Sequence, residues 1–372
     1  MPFAENKNSD FLEVVRADSD EALLVFAHRG ARHFAFYKIL SGFSANLIFV
    51  RDPTDGWYNG PIPTLGKNLD ETVERIRHVI ETLGVKRAAT MGSSMGGYAA
   101  ILFGCLLKAD AALAFSPQTL LDPMFPLSPA RHLPCVAPDL NHFVGNAGNT
   151  ITIDVVCSEN DVVDFFNAAR LSGQNINKYI IPESTHEIVN SLYKHGNFLA
   201  VITEWFKRER PAVFMSSSRF SDLTGLKKLE SAVLSFHRGS FLEATRFFQD
   251  LVLQNPGWPG IHFFYGQTLL KTSKFGEAAD TFRNTIALHP KWFEPYRFLG
   301  RALWNLNDRE GAVNNTLIAL ELNPDWAEAW FDLGEYKNAL GDKAGAKSAW
   351  LRASTIKPSW TMPQDRLARE GV

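Results

Sequence analysis

The sequence predicts two domains of different class, an N-terminal α/β domain and a C-terminal all-α repeat domain. At 372 residues the chain exceeds the usual length of a single domain. The first half alternates short apolar runs with segments of helical period, whereas the second half repeats itself at a fixed, longer period. We place the domains at 1–212 and 223–372, with a linker at 213–222, where a serine cluster breaks the pattern.

Six apolar bursts in the first half predict buried strands. They lie at 22–28, 46–52, 86–92, 111–117, 151–157 and 178–184. Between and after them, segments such as 69–84, 97–109 and 197–209 have the apolar spacing of helices. Strands that alternate with helices predict a mostly parallel sheet with helices on both faces.

The second half contains an internal repeat. Proline recurs at Pro256, Pro290, Pro324 and Pro358, and alanine recurs at Ala244, Ala278, Ala312 and Ala346. The constant step within each series is the period of the tetratricopeptide repeat (TPR), which this half resembles. The resemblance implies four helix hairpins at about 225–358 and a C-terminal segment, and it implies binding to a protein partner or self-association. The first repeat departs from the pattern, with Lys228 where an aromatic residue is usual and Ala232 where glycine is usual.

Composition excludes several classes of function. With 38 basic and 40 acidic side chains the net charge is -2, so we expect no nucleic-acid partner. The three cysteines have no metal-site spacing, and we expect no metal or other cofactor. The absence of a signal-like start or a long apolar run predicts a cytoplasmic protein with no membrane span.

A glycine-rich pentapeptide follows the third predicted strand and precedes a predicted helix. Its residues, Gly92, Ser93, Ser94, Met95 and Gly96, fit the pattern G-x-S-x-G. In this context a serine is held on a sharp strand-to-helix turn, and the flanking glycines avoid collisions that side chains would cause. Ser94 is therefore the candidate nucleophile.

An acid and a histidine follow Ser94 in chain order. Asp161 comes after the strand at 151–157, and His186 comes after the strand at 178–184, so both are expected at the carboxyl edge of the sheet with Ser94. Glu159 and Asp164 are the alternatives to Asp161. With this order the first 210 residues resemble the α/β-hydrolase superfamily.

The chemistry of acyl transfer assigns a role to each residue. His186 would accept the proton of Ser94, and Asp161 would orient the imidazole. The backbone N–H of Met95 would donate to the oxyanion, together with that of either Arg29 or Gly30.

Two loops are expected to contact substrate. The segment 51–63 leaves a strand at the same sheet edge and carries Arg51, Trp57 and Tyr58, whose aromatic and charged groups suit a sugar or carboxylate or else pack the loop. His28 is a further candidate for contact with substrate, and it either closes its own loop by hydrogen bonds, which is the favoured role, or acts as a second catalytic base.

Three functions are compatible with these residues. The first is a serine esterase acting on a small-molecule or glycan ester, and the second is an O-acyltransferase using the same triad. The stretches "FVRDPTDGWYNG" and "GSSMGGYAAILFG" resemble α/β-hydrolase proteins associated with bacterial surface polysaccharides, some of which are O-acetyltransferases. The third is an inactive scaffold. The intact Ser94–Asp161–His186 set favours an active esterase that carries an interaction domain.

Overall fold

The computed structural model describes residues 9–124, 128, 132, 135–182, 184–186, 188–194 and 196–369. The chain forms two compact units, Met1–Arg238 and Gly239–Val372. Within the described ranges, no helix combines the length and the apolar character needed to cross a membrane.

A seven-stranded sheet forms the centre of the first unit. Its strands are β1 Leu12–Val15, β2 Glu21–Phe26, β3 Asn46–Val50, β4 Arg87–Ser93, β5 Ala111–Phe115, β6 Thr152–Ser158 and β7 Ile176–Ile181. The strand order is β1-β3-β2-β4-β5-β6-β7, and all neighbouring pairs are parallel except β1 with β3. The six predicted strands are confirmed within a few residues, and the antiparallel edge strand β1 is an addition.

Helices follow most of the strands. They are α1 Tyr37–Leu40, α2 Leu69–Thr82, α3 Met95–Leu107, α4 Leu140–Ala147, α5 Val162–Arg170, α6 Ile188–Lys194, α7 Phe198–Phe206 and α8 Leu223–His237. On one face of the sheet, Phe103 of α3 packs against Phe26 of β2, with ring centroids 4.9 Å apart. On the other face, Phe198 and Trp205 of α7 join the core that contains Leu23 and Val25 of β2. The alternating side chains of β2 thus bury both faces, as expected for a parallel sheet.

Helix α8 belongs to the first unit, although the sequence places it in the first TPR. It packs against α5, and Leu229, Ala232 and Val233 on it are buried. Just before it, Phe220 stacks on Phe165 of α5 at a centroid distance of 4.4 Å. The units therefore divide after Arg238, whereas the predicted linker lies at 213–222.

The second unit consists of helices that recur at the period of the prolines and alanines. They are α9 Phe241–Gln254, α10 Pro259–Lys271, α11 Phe275–Leu288, α12 Phe293–Asn305, α13 Arg309–Leu322, α14 Ala327–Ala339, α15 Lys343–Ile356 and α16 Thr361–Arg369. The starts of α9, α11, α13 and α15 are equally spaced, and those of α10, α12, α14 and α16 have the same spacing. This is a TPR-type helical repeat.

Small residues allow the paired helices to approach closely. A Cβ atom on Gly266 of α10 would lie 2.6 Å from the ring of Phe282 on α11. Gly334 on α14 receives the ring of Trp350 on α15 in the same way. These glycines and aromatic residues therefore pack the helix pairs together.

Candidate active site

Ser94 lies on a strained turn between β4 and α3. Its backbone has φ 55° and ψ -117°, a conformation that costs free energy for a residue with a side chain. A Cβ atom on Gly92 would collide with the backbone carbonyl of Gly96, and one on Gly96 would collide with the carbonyl oxygen of Phe26. The two glycines of the motif are therefore required by the close approach of the helix start to β4 and β2.

His186 lies between Ser94 and Asp164. Its Nδ1 atom is 2.8 Å from Asp164 Oδ1, and its Nε2 atom is 3.3 Å from Ser94 Oγ. Because the carboxylate faces Nδ1, that nitrogen carries the proton and donates it, which leaves Nε2 to accept from the Ser94 hydroxyl. The longer second distance is within the range of catalytic hydrogen bonds before substrate binds.

The contact predicted for Asp161 is made by Asp164 instead. Asp161 is the N-cap of α5, and its Oδ1 atom accepts from the backbone N–H groups of Val163 at 2.9 Å and of Asp164 at 3.1 Å. Asp164 lies in the first turn of α5 and is only 4% exposed. The backbone N–H groups at the start of α5 thus bind the Asp161 carboxylate, and the Asp164 carboxylate faces His186.

Asp161 nevertheless contributes to the electrostatics of the site. Burial, and then the negative charge of Asp164, raise the pKa of Asp161 to about 6, while His186 opposes the shift. Asp161, Asp164 and His186 each offer an atom within 4.8 Å of the others, so these three side chains could also hold a metal ion.

The backbone N–H groups predicted to donate to an oxyanion lie at the start of α3 and in the loop after β2. Met95 is the first residue of α3, where N–H groups have no acceptor within the helix. The N–H of Gly30 already donates to Asp55 Oδ1 at 2.8 Å. Of the two residues predicted after β2, Arg29 is therefore the better candidate for the second donor.

A cavity of about 690 Å³ opens over these groups. The predicted site residues that line it are Arg29, Gly30, Trp57, Ser94, Asp161 and His186. Residues outside the predicted site also line it, namely Asp55, Ser116, Gln118, Val163, Asn167 and His237, together with Asp164, the alternative acid. Most of these follow the carboxyl end of a strand, a position that could have identified them.

Three predicted substrate residues lie elsewhere. Tyr58 is fully buried, and its hydroxyl donates to the carbonyl oxygens of Ala27 at 3.0 Å and Val50 at 3.2 Å, so it is a core residue. Burial raises the pKa of Tyr58 well above its usual value.

Arg51 and His28 are also outside this cavity. Arg51 lines a separate cavity of about 900 Å³ and donates to the backbone carbonyl of Asp10 at 2.9 Å. His28 is exposed, and its Nδ1 atom is 2.9 Å from the carbonyl oxygen of Arg29. This contact agrees with the alternative prediction, in which His28 closes its own loop by a hydrogen bond.

No protein-family model matches the chain, and no curated protein matches it. Among solved structures, the chain is similar to the crystal structure of MamA, with 20% identity, a TM-score of 0.35, and coverage of 37% of this chain and 80% of that chain. It is similar to a thermophilic TPR protein in Thermus thermophilus, with 20% identity, a TM-score of 0.36, and coverage of 39% and 80%. It is also similar to YrrB, described as a TPR protein with an unusual peptide-binding site, with 14% identity, a TM-score of 0.36, and coverage of 48% and 87%.

Proposed function

We propose that the first unit is a serine hydrolase of esterase type, with the α/β-hydrolase fold, that acts through an acyl-enzyme on Ser94. The observation that carries this proposal is the hydrogen-bonded series Ser94 Oγ, His186 and Asp164 at a strained strand-to-helix turn. Serine is activated when a base lies within hydrogen-bond reach of its hydroxyl and a buried carboxylate orients that base.

The proposed first step forms the acyl-enzyme. Ser94 Oγ attacks the ester carbonyl while its proton passes to His186 Nε2, and Asp164 stabilises the resulting imidazolium. The backbone N–H groups of Met95 and Arg29 donate to the oxyanion of the tetrahedral intermediate. His186 then gives its proton to the leaving alcohol as the ester bond breaks.

The second step releases the acid. Water attacks the acyl carbonyl, His186 takes one proton from that water, and the proton returns to Ser94 Oγ as the acyl bond breaks. An acceptor alcohol in place of water would make the same site an acyltransferase, so the fate of the acyl group is an outcome of the test below.

For the second unit we propose protein binding or self-association. Stacked helix hairpins present an extended surface suited to a peptide or a second protein. The regular spacing of the helices in this unit supports the proposal. Self-association is tested by measuring the mass of the full chain in solution at several concentrations. If the mass remains that of a monomer, the second unit binds another protein instead.

Turnover of p-nitrophenyl acetate tests the enzymatic proposal. Ser94→Ala should lower kcat by about 10³-fold or more, because the nucleophile is removed. Ser93→Ala is the matched control from the adjacent position and should stay within a few-fold of wild type. Equal turnover by wild type and Ser94→Ala contradicts the proposal. If Ser94 is acylated but the acyl-enzyme is not hydrolysed, the protein is an acyltransferase that needs an acceptor alcohol.

A further inference from the structure

Ser116 follows the strand next to the nucleophile. β5 ends at Phe115, whose carbonyl oxygen accepts from the Ser94 N–H at 2.8 Å. Ser116 therefore leaves the sheet at the same carboxyl edge as Ser94, and it lines the same cavity. Its backbone also has a left-handed φ of 43°, an uncommon conformation for a serine.

The hydroxyl of Ser116 is buried without a partner. The residue is 1% exposed, and within the described ranges Ser116 Oγ makes no hydrogen bond. Buried polar groups are almost always hydrogen-bonded, because an unpaired one loses its bonds to water and gains nothing. A serine hydroxyl in the wall of a cavity recovers that loss by turning about χ1 toward a ligand oxygen.

Trp57, in another loop that lines the same cavity, is also buried, has a positive φ and carries a polar group that is unpaired in the described part of the chain. It is 2% exposed, its φ is 57°, and its Nε1–H has no acceptor among the residues that the structure describes. Asp52 stabilises this loop, because its carboxylate accepts from the backbone N–H groups of Thr54 at 2.9 Å and Tyr58 at 2.8 Å. The strain is thus built into a loop that is hydrogen-bonded in place, as it is at functional sites.

The two groups define what a substrate has to supply. An indole N–H is only a donor, and a serine hydroxyl donates readily to an ether, hydroxyl or carbonyl oxygen. A hydrocarbon ester would leave both groups unpaired, whereas a ligand with several oxygens would satisfy them. A site of this kind discriminates strongly against an analogue that lacks the oxygens.

We infer that Ser116 Oγ and Trp57 Nε1 bind acceptor oxygens of the substrate, so that the ester cleaved at Ser94 is a polyoxygenated one, with several oxygens besides those of the ester group. The inference rests on the proposed function and names its substrate class. Ser116 and Trp57 then determine specificity, while Ser94, His186 and Asp164 carry out the reaction.

Two acetate esters of similar shape test the inference. Methyl 6-O-acetylglucopyranoside and cyclohexylmethyl acetate share the acetyl group and a six-membered ring on a methylene, and differ chiefly in ring oxygens. The full chain should have a kcat/KM at least tenfold higher for the glucoside. In Ser116→Ala and in Trp57→Phe the ratio of the two values should fall about tenfold.

Matched variants control for folding and for the substitution itself. Ser41→Ala removes an exposed hydroxyl that bonds to the Lys38 carbonyl, and Trp330→Phe removes an indole N–H that bonds to the Pro324 carbonyl. Both should keep the wild-type ratio. Ser116→Gly removes the hydroxyl without strain at a positive φ and should match Ser116→Ala.

The possible results separate the two proposals. Equal kcat/KM for both esters in wild type, or a ratio unchanged in Ser116→Ala and Trp57→Phe, overturns the inference and leaves the esterase proposal intact. Protection of Ser94 from a fluorophosphonate by each ester provides the same comparison without turnover. A wild type that is neither labelled nor active on either ester refutes the proposed function itself.

Discussion

Replacement of the two carboxylates of α5 distinguishes their roles. Asp164 Oδ1 is 2.8 Å from His186 Nδ1, so Asp164→Asn puts an amide against that nitrogen and favours the imidazole tautomer with its proton on Nε2. That tautomer cannot accept the Ser94 proton, and a comparable change in a serine protease lowers kcat about 10⁴-fold. Because the Asp161 carboxylate remains within 4.8 Å, we expect a smaller loss of about 10²–10³-fold, or about 3–4 kcal/mol.

Asp161→Asn is the matched control for that experiment. An asparagine caps α5 as well as aspartate does, so the helix start is kept, and we expect kcat within tenfold of wild type. The assay is kcat for p-nitrophenyl acetate, with far-UV circular dichroism to show that both variants fold. An equal loss in the two variants, or a larger loss in Asp161→Asn, refutes the assignment of Asp164 as the orienting acid.

Three further predictions concern stability. Gly96→Ala should lower the free energy of unfolding in urea by about 3 kcal/mol, because the added Cβ atom meets the Phe26 carbonyl. In Gly145→Ala on α4 the added Cβ atom meets nothing within 4 Å, and the free energy of unfolding should change by less than about 1 kcal/mol. Equal effects of the two substitutions would contradict the close approach of α3 to the sheet at Gly96. Tyr58→Phe should cost about 1–2 kcal/mol in urea unfolding and leave KM unchanged, and an altered KM would return Tyr58 to the substrate site. The pKa of Asp161, about 6 in the folded protein, lies above its ordinary value near 4, so the folded state binds this proton more tightly and loses stability as the pH rises from about 4 through 6. The advantage of Asp161→Asn over wild type in free energy of unfolding should therefore grow by up to about 3 kcal/mol between pH 4 and pH 8. A constant difference across this range would contradict the burial and charge repulsion assigned to Asp161.

Much of the site follows from local sequence patterns. The glycines at 92 and 96 are separated from Ser94 by one residue each, and this spacing alone specifies the tight strand-to-helix turn. His186 follows from chain order and from its position after a strand. Both inferences depend on where a strand ends, which apolar runs predict well.

The choice between Asp161 and Asp164 depends on the start of a helix, which is harder to predict. The residue at which α5 begins determines which carboxylate caps the helix and which one faces His186. The order of the segment, an aspartate followed three residues later by a second aspartate, is close to a capping-box pattern, and this signal could have assigned Asp161 to the cap.

The assignment of α8 required information beyond local pattern. Its apolar positions, including Leu229 and Val233, suit packing either in a repeat or against α5. Periodicity identifies an amphipathic helix without identifying its partner. For the same reason, periodicity does not identify His237, at the end of α8, as a residue that lines the cavity.

Covalent labelling of Ser94 tests the central claim most directly. The full chain is treated with a fluorophosphonate, which reacts with activated serines, and the modified peptide is mapped by mass spectrometry. We expect one adduct on Ser94, slower labelling in Asp164→Asn, and none in Ser94→Ala. An unlabelled wild type, or the same adduct in Ser94→Ala, would contradict the claim that Ser94 is the activated nucleophile.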